Sequence, residues 1–375
     1  MKRSAALFFL FFLVLGFSLL LMAQQGPTRQ SSETVARPRK PETAAEPAAE
    51  PEKIPSKYGK KPELQPSTTF RSDVIVVSLS VSVLDDRGQF IPNIPRGNFR
   101  VLEDNVPQQI ATFEMGEAPM TVCMVIEFNN LYQSYWSDTW YQTLSAAYGF
   151  LDSLKPEDYV AVVSYDLRPH ILLDFTVDKR QAYDAMRQLT IPSYSEANLF
   201  DAIADTAERM SSIEGRKAIV LLSTGIDTFS KLNFDKTRKI LQNAGVPIYA
   251  IGLMQYLRQL ADAWGYLGPL ERLDFIQADN QLRTFAKETG GQAYFPKFEG
   301  EMPGIFRSIA GALRSQYLIT YHPTNQARDG KFRRIKVELV DPATNKPLRV
   351  VDERGRNIRY TILAKNGYTA PREVE

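Results

Sequence analysis

The stretch Met120-Thr-Val-Cys-Met-Val-Ile-Glu-Phe-Asn-Asn130 is apolar almost throughout and then ends in one carboxylate and two amides. A continuous apolar run with polar ends is typical of a strand that is buried on both faces, as in the middle of a parallel sheet. Open α/β sheets bind their ligands beyond the carboxyl ends of such strands. The pattern therefore places Glu127, Asn129 and Asn130 at the edge of the sheet where function is expected.

Strand and helix patterns alternate after this stretch. Short apolar runs predict strands, and apolar residues at three- and four-residue steps predict helices. The predicted strands are Asp158–Tyr165, Ile171–Phe175, Lys217–Ser223, Val246–Leu253 and Gln292–Phe295. The predicted helices are Trp140–Leu154, Lys179–Leu189, Asn198–Met210, Asp235–Ala244, Asn280–Thr289 and Met302–Arg314. Such alternation indicates an α/β domain over residues 118–315, with a doubly wound, mostly parallel sheet.

Antiparallel β patterns flank this domain, in an N-terminal segment (residues 67–117) and a C-terminal segment (residues 316–375). The predicted strands are Val77–Val83, Phe99–Glu103, Gln109–Phe113, Tyr317–Tyr321 and Ile335–Leu339, followed by a hairpin of Leu348–Val351 with Ile358–Ile362. Neither segment has enough apolar residues for a stable core of its own. We therefore expect the two segments to join in one β-sandwich, with the α/β domain inserted between them.

The N-terminal residues have the features of an export signal. Lys2 and Arg3 precede an apolar run from Ala5 to Met22. Residues 1–23 are either a cleaved signal peptide or, because the run is near the length that spans a bilayer, an uncleaved anchor. Residues 24–66, rich in Pro, Glu and Ala, cannot bury enough apolar surface to fold and are predicted to be a disordered linker. We expect an exported protein, either periplasmic, secreted or anchored outside the cytoplasm, with membrane contact only through an uncleaved N-terminal segment.

The composition excludes several classes of function. Lys and Arg number 45 against 43 Asp and Glu, so the net charge is only +2 and gives no general attraction to nucleic acid. Two histidines and one cysteine cannot form a Cys/His zinc site, and one cysteine cannot form an intramolecular disulfide. No nucleophile elbow, phosphate-binding loop or dinucleotide fingerprint is present. We predict no catalytic residues and a protein that is not an enzyme.

Several motifs occur in a characteristic order. The strand that ends at Glu127 is followed by Lys155-Pro-Glu-Asp-Tyr-Val-Ala-Val-Val163, Asn198-Leu-Phe-Asp-Ala-Ile203 and Gly215-Arg-Lys-Ala-Ile-Val-Leu-Leu-Ser-Thr-Gly-Ile-Asp227. This order resembles a von Willebrand factor type A (VWA) domain. With Phe99-Arg-Val-Leu-Glu-Asp-Asn105, the chain is similar more narrowly to the VWFA-related family described from Acidobacteria. The resemblance implies a bacterial protein that engages a partner through the carboxyl edge of its sheet.

The resemblance also implies the location of a metal-ion-dependent adhesion site (MIDAS) at this edge. The family pattern is Asp-x-Ser-x-Ser, then a Thr and a final Asp, and the corresponding residues here are Glu127, Asn129, Leu131, Ala197 and Thr224. All five depart from the pattern, and two of them have no side-chain oxygen. Magnesium prefers near-octahedral oxygen coordination that includes carboxylates. We therefore predict a degenerate site that binds neither Mg²⁺ nor Ca²⁺, and no other cofactor.

Two interpretations remain open for the polar residues at this edge. Glu127, Asn129 and Asn130 either solvate the end of a strand and begin a turn, or they line a metal-free recognition face. Thr224 and Asp227 are further candidates for such a face. Asp227 could swing in as a second carboxylate for a metal ion, or it could form a turn or cap before the next helix.

An aromatic cluster follows directly. Tyr132, Trp136 and Trp140 are spaced at four residues and continue the core stripe of the helix, whereas Tyr135 and Tyr141 point elsewhere and are interface candidates. A second interface candidate, Trp264-Gly-Tyr-Leu-Gly268, lies in a long irregular connection, where its aromatic residues could equally serve only to hold the loop in place.

Two functions follow from these observations. The first is an exported protein-binding module that engages its partner through the carboxyl edge of the sheet. The alternative is a structural or assembly subunit of a cell-envelope complex that contacts its partners through the β segments.

Overall fold

The computed structural model describes residues 75–86, 88–115, 118–130, 137–189, 194–255, 269–351 and 355–372. The predicted signal or anchor, the predicted linker, the residues from Leu131 to Trp136 and the segment Trp264–Gly268 lie outside the described residues. Among the described helices, none is both long and apolar enough to cross a membrane.

The described residues contain strands and helices in the following order. The strands are β1 (Val77–Asp85), β2 (Phe99–Glu103), β3 (Val106–Gln108), β4 (Ile110–Glu114), β5 (Met120–Glu127), β6 (Tyr159–Tyr165), β7 (Pro169–Thr176), β8 (Arg216–Ser223), β9 (Ile248–Gly252), β10 (Ala293–Tyr294), β11 (Tyr317–Tyr321), β12 (Phe332–Leu339), β13 (Val350–Val351), β14 (Asn357–Ile358), β15 (Tyr360–Leu363) and β16 (Gly367–Thr369). The helices are α1 (Ser137–Ser153), α2 (Lys179–Arg187), α3 (Leu199–Ser211), α4 (Phe234–Ala244), α5 (Pro269–Thr289) and α6 (Met302–Arg314).

The central sheet has six strands in the order β10-β9-β8-β5-β6-β7. All neighbours are parallel except β6 and β7, which are antiparallel. Strand β5 is interior and buried from end to end apart from Thr121, as its apolar sequence predicts. Alternate side chains of β5 face opposite layers: Met120, Val122, Met124 and Ile126 pack with α1, α2 and α6, whereas Cys123 and Val125 pack with α3, α4 and α5. The predicted doubly wound, mostly parallel sheet is therefore confirmed.

The flanking β segments intermix in two four-stranded sheets. One has the order β15-β1-β11-β4 and the other β16-β12-β2-β3, so each sheet contains strands from both ends of the described chain. Their inner faces share one core, built around the side chains of Leu79, Val101, Tyr317, Ile319 and Val337. This architecture is the joint β-sandwich that the shortage of apolar residues in each segment predicts.

Several boundaries differ from the predictions. The predicted C-terminal hairpin pairs only two residues of β13 with two of β14, and β15 pairs instead with β1. The strand patterns do not predict β3, because Pro107 lies within it, or β16, which has only three residues. Helix α5 begins at Pro269 rather than near Asn280. In its first turns, the apolar residues Leu273 and Ile276 are exposed. This part of the helix therefore lacks the single apolar stripe, facing the core, from which helices are predicted.

Candidate functional site

Three neighbouring strands end at the same edge of the central sheet. Glu127 is the last residue of β5 and pairs with Tyr165, the last residue of β6. Ile126 pairs with Leu222 of β8, so Ser223 and Thr224 follow at the same level. Because parallel strands place their carboxyl ends together, four polar side chains converge at this point. All four are buried.

The carboxylate of Glu127 is surrounded by hydrogen-bond donors on both of its oxygens. Oε1 accepts from Nδ2 of Asn129 at 2.7 Å and lies 2.9 Å from Oγ1 of Thr224. Oε2 accepts from the backbone N–H of Thr224 at 2.7 Å and from Oγ of Ser223 at 2.9 Å. The Tyr165 hydroxyl lies 3.0 Å from Oε2 and 2.7 Å from Oγ of Ser223. We call these five residues (Glu127, Asn129, Tyr165, Ser223 and Thr224) the carboxylate cluster.

Backbone N–H groups engage the lone pairs of the two aliphatic hydroxyls. Oγ of Ser223 accepts from the N–H of Gly225 at 2.8 Å, and Oγ1 of Thr224 accepts from the N–H of Ile226 at 3.2 Å. Gly225 has a φ of +82°, and a Cβ at this position would lie 2.7 Å from the carbonyl oxygen of Ala278. The turn after β8 therefore requires glycine, and it holds both hydroxyls with their hydrogens directed towards Glu127.

Burial and hydrogen bonding act in opposite directions on the ionisation of this cluster. Burial raises the pKa of Glu127, while the N–H and hydroxyl of Thr224, the Asn129 amide and the Ser223 hydroxyl counteract that rise. Burial, followed by the negative charge of Glu127, raises the pKa of Tyr165 well above its ordinary value. Tyr165 therefore keeps its proton at neutral pH and remains a donor in the cluster.

The structure brings only some of the five MIDAS-equivalent residues together. Glu127, Asn129 and Thr224 are in direct contact, and Leu131 lies outside the described residues. Ala197 is buried, and its backbone N–H donates to Oγ1 of Thr228 at 2.8 Å. The Ala197 carbonyl accepts from the backbone N–H of Thr228. Ala197 thus contributes backbone contacts to the loop after β8 but no side-chain ligand.

Asp227 belongs to a separate group beside this cluster. Its Oδ1 accepts from the backbone N–H of Phe200 at 3.1 Å, in the first turn of α3, and its carboxyl also contacts Oγ of Ser230. Burial raises the pKa of Asp227, although these hydrogen bonds oppose the rise. Asp227 therefore caps a helix, but the helix is the one that precedes it in the chain rather than the next one.

The donor set of the carboxylate cluster does not match what a divalent cation requires. Magnesium needs about six oxygen lone pairs in near-octahedral geometry, whereas Glu127 supplies the only carboxylate of the cluster and its oxygens already accept hydrogens. In the described part of the chain, no three or more His, Cys, Asp and Glu side chains are grouped so that they could hold a metal ion.

Exposed side chains surround the buried cluster at the same edge. The N–H of Asn130, which is exposed, donates to the carbonyl of Tyr194 at 2.7 Å. Tyr194 is 48% exposed, and Phe229, whose N–H donates to the Ala197 carbonyl, is 56% exposed. Tyr141 is 68% exposed and follows Trp140, which is buried against Phe128. We call Asn130, Tyr141, Tyr194 and Phe229 the rim. Tyr135 lies outside the described residues.

Four residues of this edge are absent from the set that the sequence predicts. Tyr165 and Ser223 are the last residues of buried strands next to β5, so the strand patterns could have revealed both. Tyr194 and Phe229 lie in loops without a periodic pattern, and only the three-dimensional structure shows that Tyr194 contacts Asn130 and that both aromatic side chains are exposed.

Comparisons with known proteins identify one matching family model and several similar solved structures. Residues 133–302 match the family model described as von Willebrand factor type A domain. No curated protein matches the chain significantly in sequence. Solved structures that are similar include the vWF domain of the type V pili tip protein Mfa5 from Porphyromonas gingivalis, with 16% identity over 52% of this chain and 94% of that chain (TM-score 0.40). BatB from Bacteroides thetaiotaomicron is 14% identical over 52% of this chain and 100% of that chain, with a TM-score of 0.38. A von Willebrand factor type A protein from Catenulispora acidiphila is 10% identical over 82% of this chain and 77% of that chain, with a TM-score of 0.41.

Proposed function

We propose that this chain, which contains a von Willebrand factor type A domain, is an exported protein-binding module that works without a metal ion. Its partner, another protein, contacts the rim at the carboxyl edge of the central sheet. The proposal includes export through residues 1–23 and membership of the narrower VWFA-related family described from Acidobacteria.

The observation that carries the proposal is the contrast between the closed cluster and the open rim. Glu127 and its donors are buried and mutually satisfied, so they fix the strand ends rather than contact a partner. Around them, Tyr141, Tyr194 and Phe229 expose large aromatic surfaces. Aromatic residues supply much of the binding energy in protein interfaces because they bury a large area at a small entropic cost. The rim therefore has the composition of a recognition surface.

The closed cluster also supports independence from metal. The family resemblance implies that a MIDAS with its usual residues holds a divalent cation. Here Asn129, Ser223 and Thr224 donate hydrogen bonds to the Glu127 carboxylate instead. A partner would consequently bind through hydrogen bonds and aromatic contacts at the rim, with no requirement for Mg²⁺ or Ca²⁺.

The alternative function, a structural or assembly subunit that uses its β segments, is favoured by a different observation. The β segments expose the apolar residues Val106 in β3, Phe332 in β12 and Val351 in β13. These positions provide a second surface on which a partner could dock.

Site-specific photo-crosslinking in the producing cells distinguishes these two functions. A photoreactive amino acid is placed at Tyr194 or Phe229 in the rim, and at Phe332 in the sandwich. We expect a discrete crosslinked protein from the two rim positions and none from Phe332. Crosslinks from Phe332 alone would establish the assembly function, and crosslinks from neither surface would refute both.

Tyr159 provides the matched control. It is an exposed tyrosine at the first residue of β6, so it lies at the opposite edge of the same sheet. Its replacement should yield no specific adduct. Equal crosslinking from Tyr159 and Tyr194 would show that capture is non-specific and would contradict the proposed rim. Addition of a chelator should leave the rim adducts unchanged.

A further inference from the structure

A cavity of about 60 Å³ lies between strand β7 and helix α3, on the face of the central sheet that this helix covers. Strand β7 is the last strand on its side of the sheet, so no strand among the described residues lies beyond it. The pairing of β6 with β7 has two register shifts. Such irregularities change the direction of side chains in a strand, and here they fall beside the residues that line the gap.

The interior of the cavity is apolar. Its floor and walls are formed by four buried side chains, those of Cys123, Ala161, Val163 and Met210. The hydroxyl of Thr206, which also lines the cavity, already donates to the carbonyl of Ala202 at 2.8 Å. A cavity needs about 10–15 Å³ and polar partners to hold a water molecule. The interior therefore offers little to water and has room for an aliphatic group of a few carbon atoms.

The mouth of the cavity carries a net negative charge. Four of the lining residues are exposed and mark the mouth: Ile171, Asp174, Asp205 and Arg209. Oδ1 of Asp174 forms an ion pair with Nη2 of Arg209 at 3.4 Å. Asp205, one helical turn before Arg209, forms no ion pair within the described part of the chain. Because two carboxylates face one guanidinium, the mouth attracts a cation.

We propose that this cavity binds a small aliphatic side chain, such as that of valine, from an extended segment of a partner protein in which lysine or arginine flanks it. The aliphatic group fills the interior, and the flanking cation pairs with Asp205 and Asp174. The cavity is smaller than the roughly 300–1,000 Å³ that is typical of small-molecule sites, whereas one side chain fills it. The rest of the segment lies along the open edge of β7, where an extended chain can form main-chain hydrogen bonds. No rim residue lines this cavity, so the proposal is independent of the rim.

Fluorescence anisotropy with labelled peptides tests this proposal on the full chain at constant ionic strength. The probe is a short peptide of alternating valine and lysine, and we expect saturable binding with a Kd below about 1 mM. A peptide of alternating glycine and lysine should bind at least about tenfold more weakly, because no apolar group enters the cavity. A peptide of alternating tryptophan and lysine should also bind more weakly, because the indole is too large. A non-specific apolar surface would instead bind the tryptophan peptide more tightly.

Three variants at exposed positions locate the bound peptide. Asp205→Asn removes a carboxylate from the mouth and should weaken binding of the valine peptide about threefold. Arg209→Gln frees Asp174 from its ion pair and should strengthen binding by a similar factor. Glu208→Gln makes the same change of charge on the same helix, but Glu208 does not line the cavity. This matched control should leave the affinity unchanged.

The proposal is overturned if the valine peptide does not bind saturably, or if the glycine peptide binds equally well. It is also overturned if Glu208→Gln weakens binding as much as Asp205→Asn. Sedimentation equilibrium tests a second copy of the chain as the occupant. We expect the valine peptide to leave the oligomeric state unchanged, whereas a dimer that the peptide dissociates would assign the cavity to a second copy and contradict the proposal.

Discussion

Glu127 in the central sheet and Glu103 in the β-sandwich are both buried, but their surroundings are very different. Both oxygens of Glu127 face donors, including the backbone N–H of Thr224. Glu103 accepts from the hydroxyls of Tyr321, at 2.7 Å, and Tyr368, at 3.2 Å, and both reach Oε2. Its Oε1 has no hydrogen-bond partner among the described residues. The sheet therefore holds its carboxylate in a saturated network, whereas the sandwich holds one that is satisfied on one side only.

This difference indicates how the two regions depend on their acidic groups. Replacement of a carboxylate that has donors on both oxygens by an amide either brings two donor groups face to face or forces one of those donors out of its position. A carboxylate with one unpartnered oxygen can accept such a replacement. The strand ends beneath the rim should consequently depend on Glu127 more strongly than the sandwich depends on Glu103.

The largest expected effect is that of Glu127→Gln. In one orientation of the amide, its NH₂ group faces the fixed backbone N–H of Thr224, and in the other the Asn129 amide must turn out of its present hydrogen bond. We expect a loss of about 3 kcal/mol in the free energy of unfolding, because buried donors lose their acceptor. Urea denaturation followed by circular dichroism measures this loss. A change below about 1 kcal/mol would show that the cluster is not saturated.

Glu103→Gln should have a smaller effect. The amide oxygen can still accept from Tyr321 and Tyr368, and the NH₂ group can occupy the position of the unpartnered oxygen. We expect a loss of about 1 kcal/mol in the same urea experiment. A loss equal to that of Glu127→Gln would remove the proposed difference between the two regions.

A fall in pH should change the stability that Glu338 contributes to the sandwich and the stability that Glu127 contributes to the central sheet in opposite directions. Hydrogen bonds from Lys336 and Arg100 lower the pKa of Glu338 in the sandwich, whereas burial raises the pKa of Glu127. A lowered pKa contributes stability above the unfolded-state value of 4.5, and that stability is lost as the pH falls through the folded-state value. A raised pKa has the opposite sign, so protonation of Glu127 relieves a cost of burial.

Hydrogen exchange can detect this opposite behaviour. Between pH 6 and about pH 3.5, amides of β12 should lose more protection than amides of β8, after correction for intrinsic exchange rates. Glu338→Gln should reduce the acid-dependent part of the loss in β12. Equal loss of protection in the two strands would contradict the account.

The fold could be predicted from the sequence to a large extent, for physical reasons that individual elements illustrate. Strand β5 is bounded by polar residues, so its end at Glu127 was predicted at the correct residue. The sandwich followed from the shortage of apolar residues in each flanking segment. In contrast, Tyr360–Leu363 has an alternating pattern that fits several neighbours, and only tertiary packing pairs it with β1 rather than with a hairpin partner.

The site was less predictable because it depends on register and loop conformation. The sequence suggested Glu127, Asn129 and Thr224 through the family pattern, but it offered only solvation or recognition as roles for Glu127. The buried network that Tyr165 and Ser223 complete is a third arrangement. It results from the alignment of three strand ends and from the left-handed turn at Gly225, neither of which leaves a local signal in the sequence.

The central claim is that hydrogen-bond donors, rather than a divalent cation, satisfy Glu127. The most direct test is the melting temperature of the full chain in a chelator and in Mg²⁺ or Ca²⁺ up to about 10 mM, since a ligand that binds the folded state raises the melting temperature by mass action. We predict the same melting temperature under all conditions. A rise of several degrees in either cation, abolished by Glu127→Gln, would show that the carboxylate binds metal and would contradict the account.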